Sequence, residues 1–203
     1  MWGASFELVK FIKQRTCFSG SVVEIGAGCG AVGLVMWSRG AAVTITDLEH
    51  TVPFMQMNID RNAQPAASKG RAKLQQISAL PLDWTVSADA EAVRAANGGQ
   101  PFDLVIGAEV SYDDDLYAAL IDTLLILLKP SEAPVNLTNR KSKSVGKEWP
   151  RQSVLLAIPM RDEDGALIEL AKSRGFQASV VATFPPTEDH SSTIAIYELT
   201  LKV

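Results

Sequence analysis

Between Val22 and Leu34 the chain reads VVEIGAGCGAVGL, with Gly26, Gly28 and Gly30 placed where a short apolar run gives way to helical spacing. A strand that turns at once into a helix needs backbone that accepts positive φ, and a residue without Cβ also lets a ligand touch the main chain. The helix that follows offers N–H groups without partners and the positive end of a dipole, which suits an anion. Asp47 ends the next β-branched run, 19 residues after Gly28. A carboxylate there accepts both hydroxyls of a ribose, and the separation matches the roughly 20 residues of the dinucleotide fingerprint. The chemistry is the grip of an adenosine-containing cofactor. Its identity stays open at this level, because Gly26-x-Gly28-x-x-Ala31 also satisfies the NAD pattern.

The elements around these residues follow from periodicity. Residues 2 to about 15 are apolar at helical spacing, with Leu8, Phe11 and Ile12 on one stripe. Ser21–Ile25 reads as a strand, Ala31–Arg39 as a helix stopped by Gly40, Ala42–Thr46 as a strand and Val52–Asn62 as a helix with Pro53 in its first turn. Lys73–Ser78 is the third strand, followed by the Ala-rich stretch Ser87–Ala96. Phe102–Ala108 is apolar almost throughout, as expected of a central strand covered on both faces. Leu116, Leu120, Leu124, Leu127 and Leu128 then line one side of a helix that Pro130 ends. The polar, basic stretch from 131 to 152, with Arg140, Lys141, Lys143, Lys147 and Arg151, reads as a long loop. Strand Val154–Ile158, helix Ala166–Arg174 and strands near Ala178–Phe184 and Thr193–Val203 complete the order. Repeated β/α units require parallel strands and right-handed crossovers, and the last two strands pair as a hairpin. The fold class is therefore α/β: a Rossmann-like, doubly wound, mostly parallel seven-stranded sheet with a C-terminal antiparallel hairpin strand, over one domain spanning 1–203.

Composition narrows the function classes. Of 203 residues 47% are hydrophobic and 21% charged, close to a folded soluble protein. The net charge of −4 gives no general attraction to nucleic acid or anionic lipid, so neither is expected as principal partner. No apolar run reaches the roughly 18 to 20 residues of a membrane helix, and the N-terminus lacks a secretory layout. The expected address is the cytoplasm, with the nucleus as second choice. Cys17, Cys29, His50 and His190 are too few for a disulfide framework or a metal cluster, so no metal is expected.

Taken together, the motifs resemble those of class I, seven-β-strand methyltransferases, whose first motif E/D-x-G-x-G-x-G is met at every fixed position by Glu24-Ile25-Gly26-Ala27-Gly28-Cys29-Gly30. Within that class the sequence is similar to the protein-lysine methyltransferases of putative methyltransferase family 16 over nearly the whole chain. The match rests on Trp2 opening WGASFELVKFI, VTITDLE around Asp47, Leu82-Asp83-Trp84, and Glu109-Val110-Ser111-Tyr112, which fits the signature D/E-x-x-Y/F. Members of that family usually carry a further segment ahead of the tryptophan, whereas this sequence starts almost at it. The resemblance implies S-adenosyl-L-methionine as cofactor. It implies that Glu24, Gly26, Gly28 and Gly30 cradle the methionine part, that Asp47 holds the ribose and that Asp83 and Trp84 flank the adenine. Ala108 would line the pocket and Trp2 would close it. It further implies a protein substrate, modified on lysine by a monomeric enzyme. A lysine amine must lose its proton before it attacks, and a desolvated pocket favours that loss. Glu109 is then the group that attracts and orients the ammonium, and the Tyr112 ring faces the growing positive charge.

Plainer readings stand beside these. Glu109 at a strand end can cap the following helix, and Tyr112 and Trp84 can be ordinary packing. The basic stretch is either a solvated loop or a docking surface for an acidic partner. At the level of function the alternatives are a methyltransferase for a small molecule or another protein residue, a non-catalytic cofactor-binding module, and a dehydrogenase. The last lacks a Tyr-x-x-x-Lys or comparable hydride-transfer set.

Overall fold

The computed structural model describes residues 3–68, 75–129, 149, 152–160, 165–188 and 190–202. In chain order these form α1 (Gly3–Lys13), β1 (Ser21–Ile25), α2 (Ala31–Ser38), β2 (Ala42–Asp47), α3 (Val52–Ser68), β3 (Ile77–Pro81) and α4 (Ser87–Ala96). There follow β4 (Leu104–Ala108), α5 (Tyr117–Leu128), β5 (Ser153–Pro159), α6 (Gly165–Ser173), β6 (Phe176–Phe184) and β7 (Ile194–Leu201). The strands make one seven-stranded sheet in the order β3-β2-β1-β4-β5-β7-β6. Strands β1 to β5 are mutually parallel, and β7 runs antiparallel to both β5 and β6. This is the Rossmann-like, doubly wound arrangement expected from the β/α repeats, with the closing hairpin in place.

Alternation along the strands makes both faces apolar. In β1, Val22 enters a core with Leu8 and Ile12 of α1 and Met36 of α2. Its neighbours Val23 and Ile25 enter the opposite core with Val93 of α4, Leu120 of α5 and Leu167 of α6. Ile45 of β2 meets Met55 and Ile59 of α3 on the α2 side. Strand order reverses between β1 and β4, so a crevice opens beyond their C-terminal ends.

Of the expected third strand Lys73–Ser78, Lys73 and Leu74 lie outside the described residues, and β3 runs over Ile77–Pro81. Its register against β2 pairs Val43 with Ile77 and Asp47 with Pro81, so it must reach as far as the aspartate does. Pro81 argues against a strand in the sequence, but β3 is the sheet edge, where a missing N–H costs no ladder bond. Helix α3 continues to Ser68, beyond the expected Asn62. The basic residues Arg140, Lys141, Lys143, Lys147 and Arg151 lie outside the described residues. Among the described residues no helix is long and apolar enough to cross a membrane.

Candidate active site

The turn after β1 is held by its own backbone. Gly26, Gly28 and Gly30 have φ of 57°, 55° and 75°, in the left-handed region. Gly28 has no protein atom within 4 Å of where a Cβ would stand, so the space beside it stays open. Asp47 reaches into this turn from the end of β2. Its Oδ2 accepts from the Gly28 N–H at 2.7 Å and its Oδ1 from the Leu48 N–H at 2.8 Å. An ionised carboxylate has about four acceptor sites, so one bond on each oxygen leaves a face for two further donors.

Glu24 and Gly30 belong to the same motif but do not border the cavity. The Glu24 side chain is buried and turns under the glycine loop, where Oε2 accepts from the Gly33 N–H at 2.7 Å. That N–H lies in the first turn of α2 and has no partner within the helix, so Glu24 serves as an internal cap. Burial pushes its carboxyl up to about 8, against the lowering effect of the bonds from Gly33 and Val32. Gly30 is required by packing as well as by φ, because a Cβ would sit 2.7 Å from Cδ1 of Ile45. Both residues hold the loop from behind, a division of roles that the motif alone does not reveal.

The connection after β3 forms the opposite wall. Asp83 Oδ1 accepts from the Thr85 N–H at 2.9 Å and from its hydroxyl at 2.6 Å, and these bonds lower the Asp83 carboxyl below its usual range. The Trp84 ring stands over Gly26, where a Cβ would come within 3.2 Å of Cζ2. The glycine thus makes room for the indole as well as for a ligand.

After β4 the backbone twists sharply. Glu109 has φ of 61°, a conformation rare outside glycine, and its N–H donates to the Ala157 carbonyl at 3.0 Å. Its carboxylate reaches the first turn of α1, where Oε1 accepts from the Ala4 N–H at 3.5 Å. The 3-10 turn Asp114–Leu116 that leads into α5 is capped by Asp113 instead, whose Oδ1 accepts from the Asp115 N–H at 3.1 Å. Tyr112 is 64% exposed, and its ring centroid lies 6.4 Å from that of Trp84. Partial burial raises its hydroxyl pKa, with Asp47, Asp113 and Asp83 adding to the effect. Tyr117 donates to the Ser111 carbonyl at 3.2 Å and so braces this loop.

These pieces enclose a cavity of about 490 Å³ at the strand-order reversal. Gly26, Gly28, Asp47, Asp83, Trp84, Ala108, Glu109 and Tyr112 all border it. Trp2 lies outside the described residues, while Ser5 of α1 borders the cavity. Ser5, Leu48, Thr85 and Leu116 also line it without having been singled out in the sequence. Leu48 and Thr85 adjoin residues that were, but nothing local marks Ser5, which arrives only when α1 docks.

A family model described as lysine methyltransferase matches residues 1–151. The chain belongs to this lysine methyltransferase family. Protein N-lysine methyltransferase METTL21A of Danio rerio is 35% identical over 126 residues, 61% of this chain and 52% of its own length. EEF1A lysine methyltransferase 3 of Mus musculus is 30% identical over 171 residues, 81% of this chain and 67% of its own. The chain spans about half the length of the METTL21A proteins it matches. Among solved structures, the glycopeptide N-methyltransferase MtfA in complex with S-adenosyl-L-homocysteine aligns with a TM-score of 0.61 at 13% identity, covering 100% of this chain and 91% of that one. A TehB-like SAM-dependent methyltransferase from Corynebacterium glutamicum gives 0.58 at 14% identity, covering 100% and 89%. These likenesses show the fold. The lysine methyltransferase model covers the chain from α1 through Tyr112 and beyond, so every residue bordering the cavity lies within the matched part.

Proposed function

We propose that the chain transfers a methyl group from S-adenosyl-L-methionine to the side-chain nitrogen of a lysine in a protein substrate. The observation that carries this reading is the union of two sets of residues in one cavity: a glycine turn gripped by Asp47 with Trp84 over it, and Tyr112 with Glu109 beside them. Membership of the lysine methyltransferase family supports the acceptor class.

The residues fit the cofactor. About 490 Å³ is within the range of a small-molecule site. Asp47 has the acceptor capacity for two ribose hydroxyls, the Trp84 face offers a flat apolar wall to adenine, and open backbone at Gly28 admits a close approach. When bound, S-adenosyl-L-methionine supplies a methyl group already activated by its sulfonium sulfur. The protein's own task is then to position the acceptor. Glu109, held by Ala4 and by its twisted backbone, draws in the lysine ammonium by charge. A free lysine titrates near about 10.4, and entry into a partly apolar cavity favours loss of its proton to water. The Tyr112 ring faces the cationic product by a cation–π contact. The reading includes a monomer in the cytoplasm; Cys17 and Cys29 are both free and exposed, which suits a reducing compartment.

Calorimetry with S-adenosylhomocysteine and with NADH tests the cofactor. Binding of the first alone is expected, and Asp47→Ala should weaken it at least about 100-fold, given about 1.5–3 kcal/mol for each bond to a charged group. Incubation of protein and labelled cofactor with cell lysate should yield methyl-lysine by mass spectrometry. Tyr112→Ala should abolish that label while holding the S-adenosylhomocysteine affinity within about threefold. Label found on arginine, histidine or a small molecule would overturn the acceptor assignment.

A further inference from the structure

Large apolar side chains left in solvent gather at one edge of the sheet. Leu48, Val86, Tyr112 and Met160 are all exposed, and they follow β2, β3, β4 and β5 respectively. Because those strands are parallel, the four residues stand on the same edge, where Leu48 and Tyr112 line the cavity. Phe6 of α1, Phe54 and Met57 of α3 and Val180 of β6 are exposed as well; single apolar residues are ordinary on a surface, whereas several beside the mouth of a cavity suit a contact site.

The charge of the described residues lining the cavity has one sign. Among the described residues, Asp47, Asp83 and Glu109 border the cavity and no lysine or arginine does, and Asp113, Asp114 and Asp115 follow Tyr112 directly. Burial foremost, with Asp47, Asp113 and Asp83 adding to it, raises the Tyr112 hydroxyl above its ordinary range. At the opposite edge the described cations collect where the helices and β7 end: Lys13, Arg39, Arg94, Lys129, Arg174 and Lys202. The molecule presents an acidic, apolar-studded rim around the mouth and a basic far side.

We propose that this rim docks a basic segment of the protein substrate, in which the acceptor lysine is flanked by further lysine or arginine residues and by an apolar side chain seated on Tyr112, Leu48 or Met160. The proposal rests on the methyl-transfer reading and specifies the acceptor's surroundings. Charge complementarity selects this occupant: like charge at a rim repels an acidic segment, while opposite charge steers a basic one to the mouth.

The test uses fluorescein-labelled peptides of identical length with a central lysine and leucine, flanked by lysine and arginine, by alanine, or by glutamate. Anisotropy with the full chain measures binding without any need for turnover, which separates this proposal from the catalytic one. The basic peptide should bind at least about tenfold more tightly than the glutamate peptide, with the advantage shrinking as salt rises from about 50 to 300 mM. Asp113→Asn with Asp114→Asn should lower basic-peptide affinity about threefold or more and leave S-adenosylhomocysteine affinity unchanged; the asparagine at 113 keeps a side-chain acceptor for the Asp115 N–H. Equal affinity for the three peptides, or preference for glutamate, overturns the proposal even if cofactor binds and lysine is methylated. A basic preference with no methyl transfer upholds the rim and overturns the catalytic reading.

Discussion

Glu24 shows how a motif residue can serve a site it does not touch. Its buried carboxyl is pushed up to about 8, mainly by loss of water, while the unfolded chain titrates near the ordinary 4.5. Between those values the folded state keeps a proton that the unfolded state has released. Stability therefore falls as pH rises through this window, with a limiting slope of about 1.4 kcal/mol per pH unit. Glu24→Gln keeps the acceptor for the Gly33 N–H and removes the titration. Urea unfolding from pH 5 to 8 should show a flatter pH dependence in the variant; equal slopes in the two proteins would contradict the burial argument. The sequence made the residue types legible here and the roles only in part. Asp47 could be placed against the glycine turn because its position at a strand end, 19 residues from Gly28, implies the facing geometry. The places of Glu24 and Gly30 behind the loop could not be read in this way, because a motif states which side chain is tolerated and not which side of the backbone it occupies.

Among the elements, α1 is the one whose place depends most on distant partners. Glu7 is buried, and its Oε1 lies 2.7 Å from Lys10 Nζ and 3.4 Å from His190 Nε2. His190 stands between β6 and β7, with Nδ1 2.7 Å from the Ser192 carbonyl oxygen, and a Cβ on Gly3 would fall 2.5 Å from its own Cβ. The hairpin connection thus fastens the helix that brings Ser5 and the Ala4 N–H to the cavity. His190→Ala should cost about 1–3 kcal/mol of stability in chemical unfolding. It should also weaken S-adenosylhomocysteine binding several-fold by calorimetry, an effect that damage confined to the hairpin would not produce. Periodicity foretold α1 and the hairpin separately. Their contact joins residues 183 positions apart and leaves no local signature. The slip in β3 has the same origin, since its limits are set by pairing with β2 and not by the propensity of Lys73–Ser78.

At the scale of the whole molecule, the two helical layers share every central strand. Val22 serves one core and Val23 the other, so neither layer can detach without exposing apolar residues of β1, β4 and β5. Thermal unfolding should follow one transition by both circular dichroism and tryptophan fluorescence. S-adenosylhomocysteine at about 100 times its dissociation constant should add about 2.7 kcal/mol and raise the midpoint by a few degrees. Two separate transitions would show that the layers are independent. The doubly wound order was readable from the alternation of β-branched and leucine-spaced segments, because each unit is local; the polarity of surface charge was not, because it emerges only when parallel strands bring their ends to a common edge.

The strand-order reversal also partitions labour among the loops. Contacts suited to the nucleoside come from the connections after β1, β2 and β3, whereas Glu109 and Tyr112, which the proposed function assigns to the acceptor, sit on the single connection after β4. Substitutions in that one excursion can retune what is modified while the donor's cradle stays intact. A lineage built on this scaffold is free to diversify its targets without relearning how to hold its reagent.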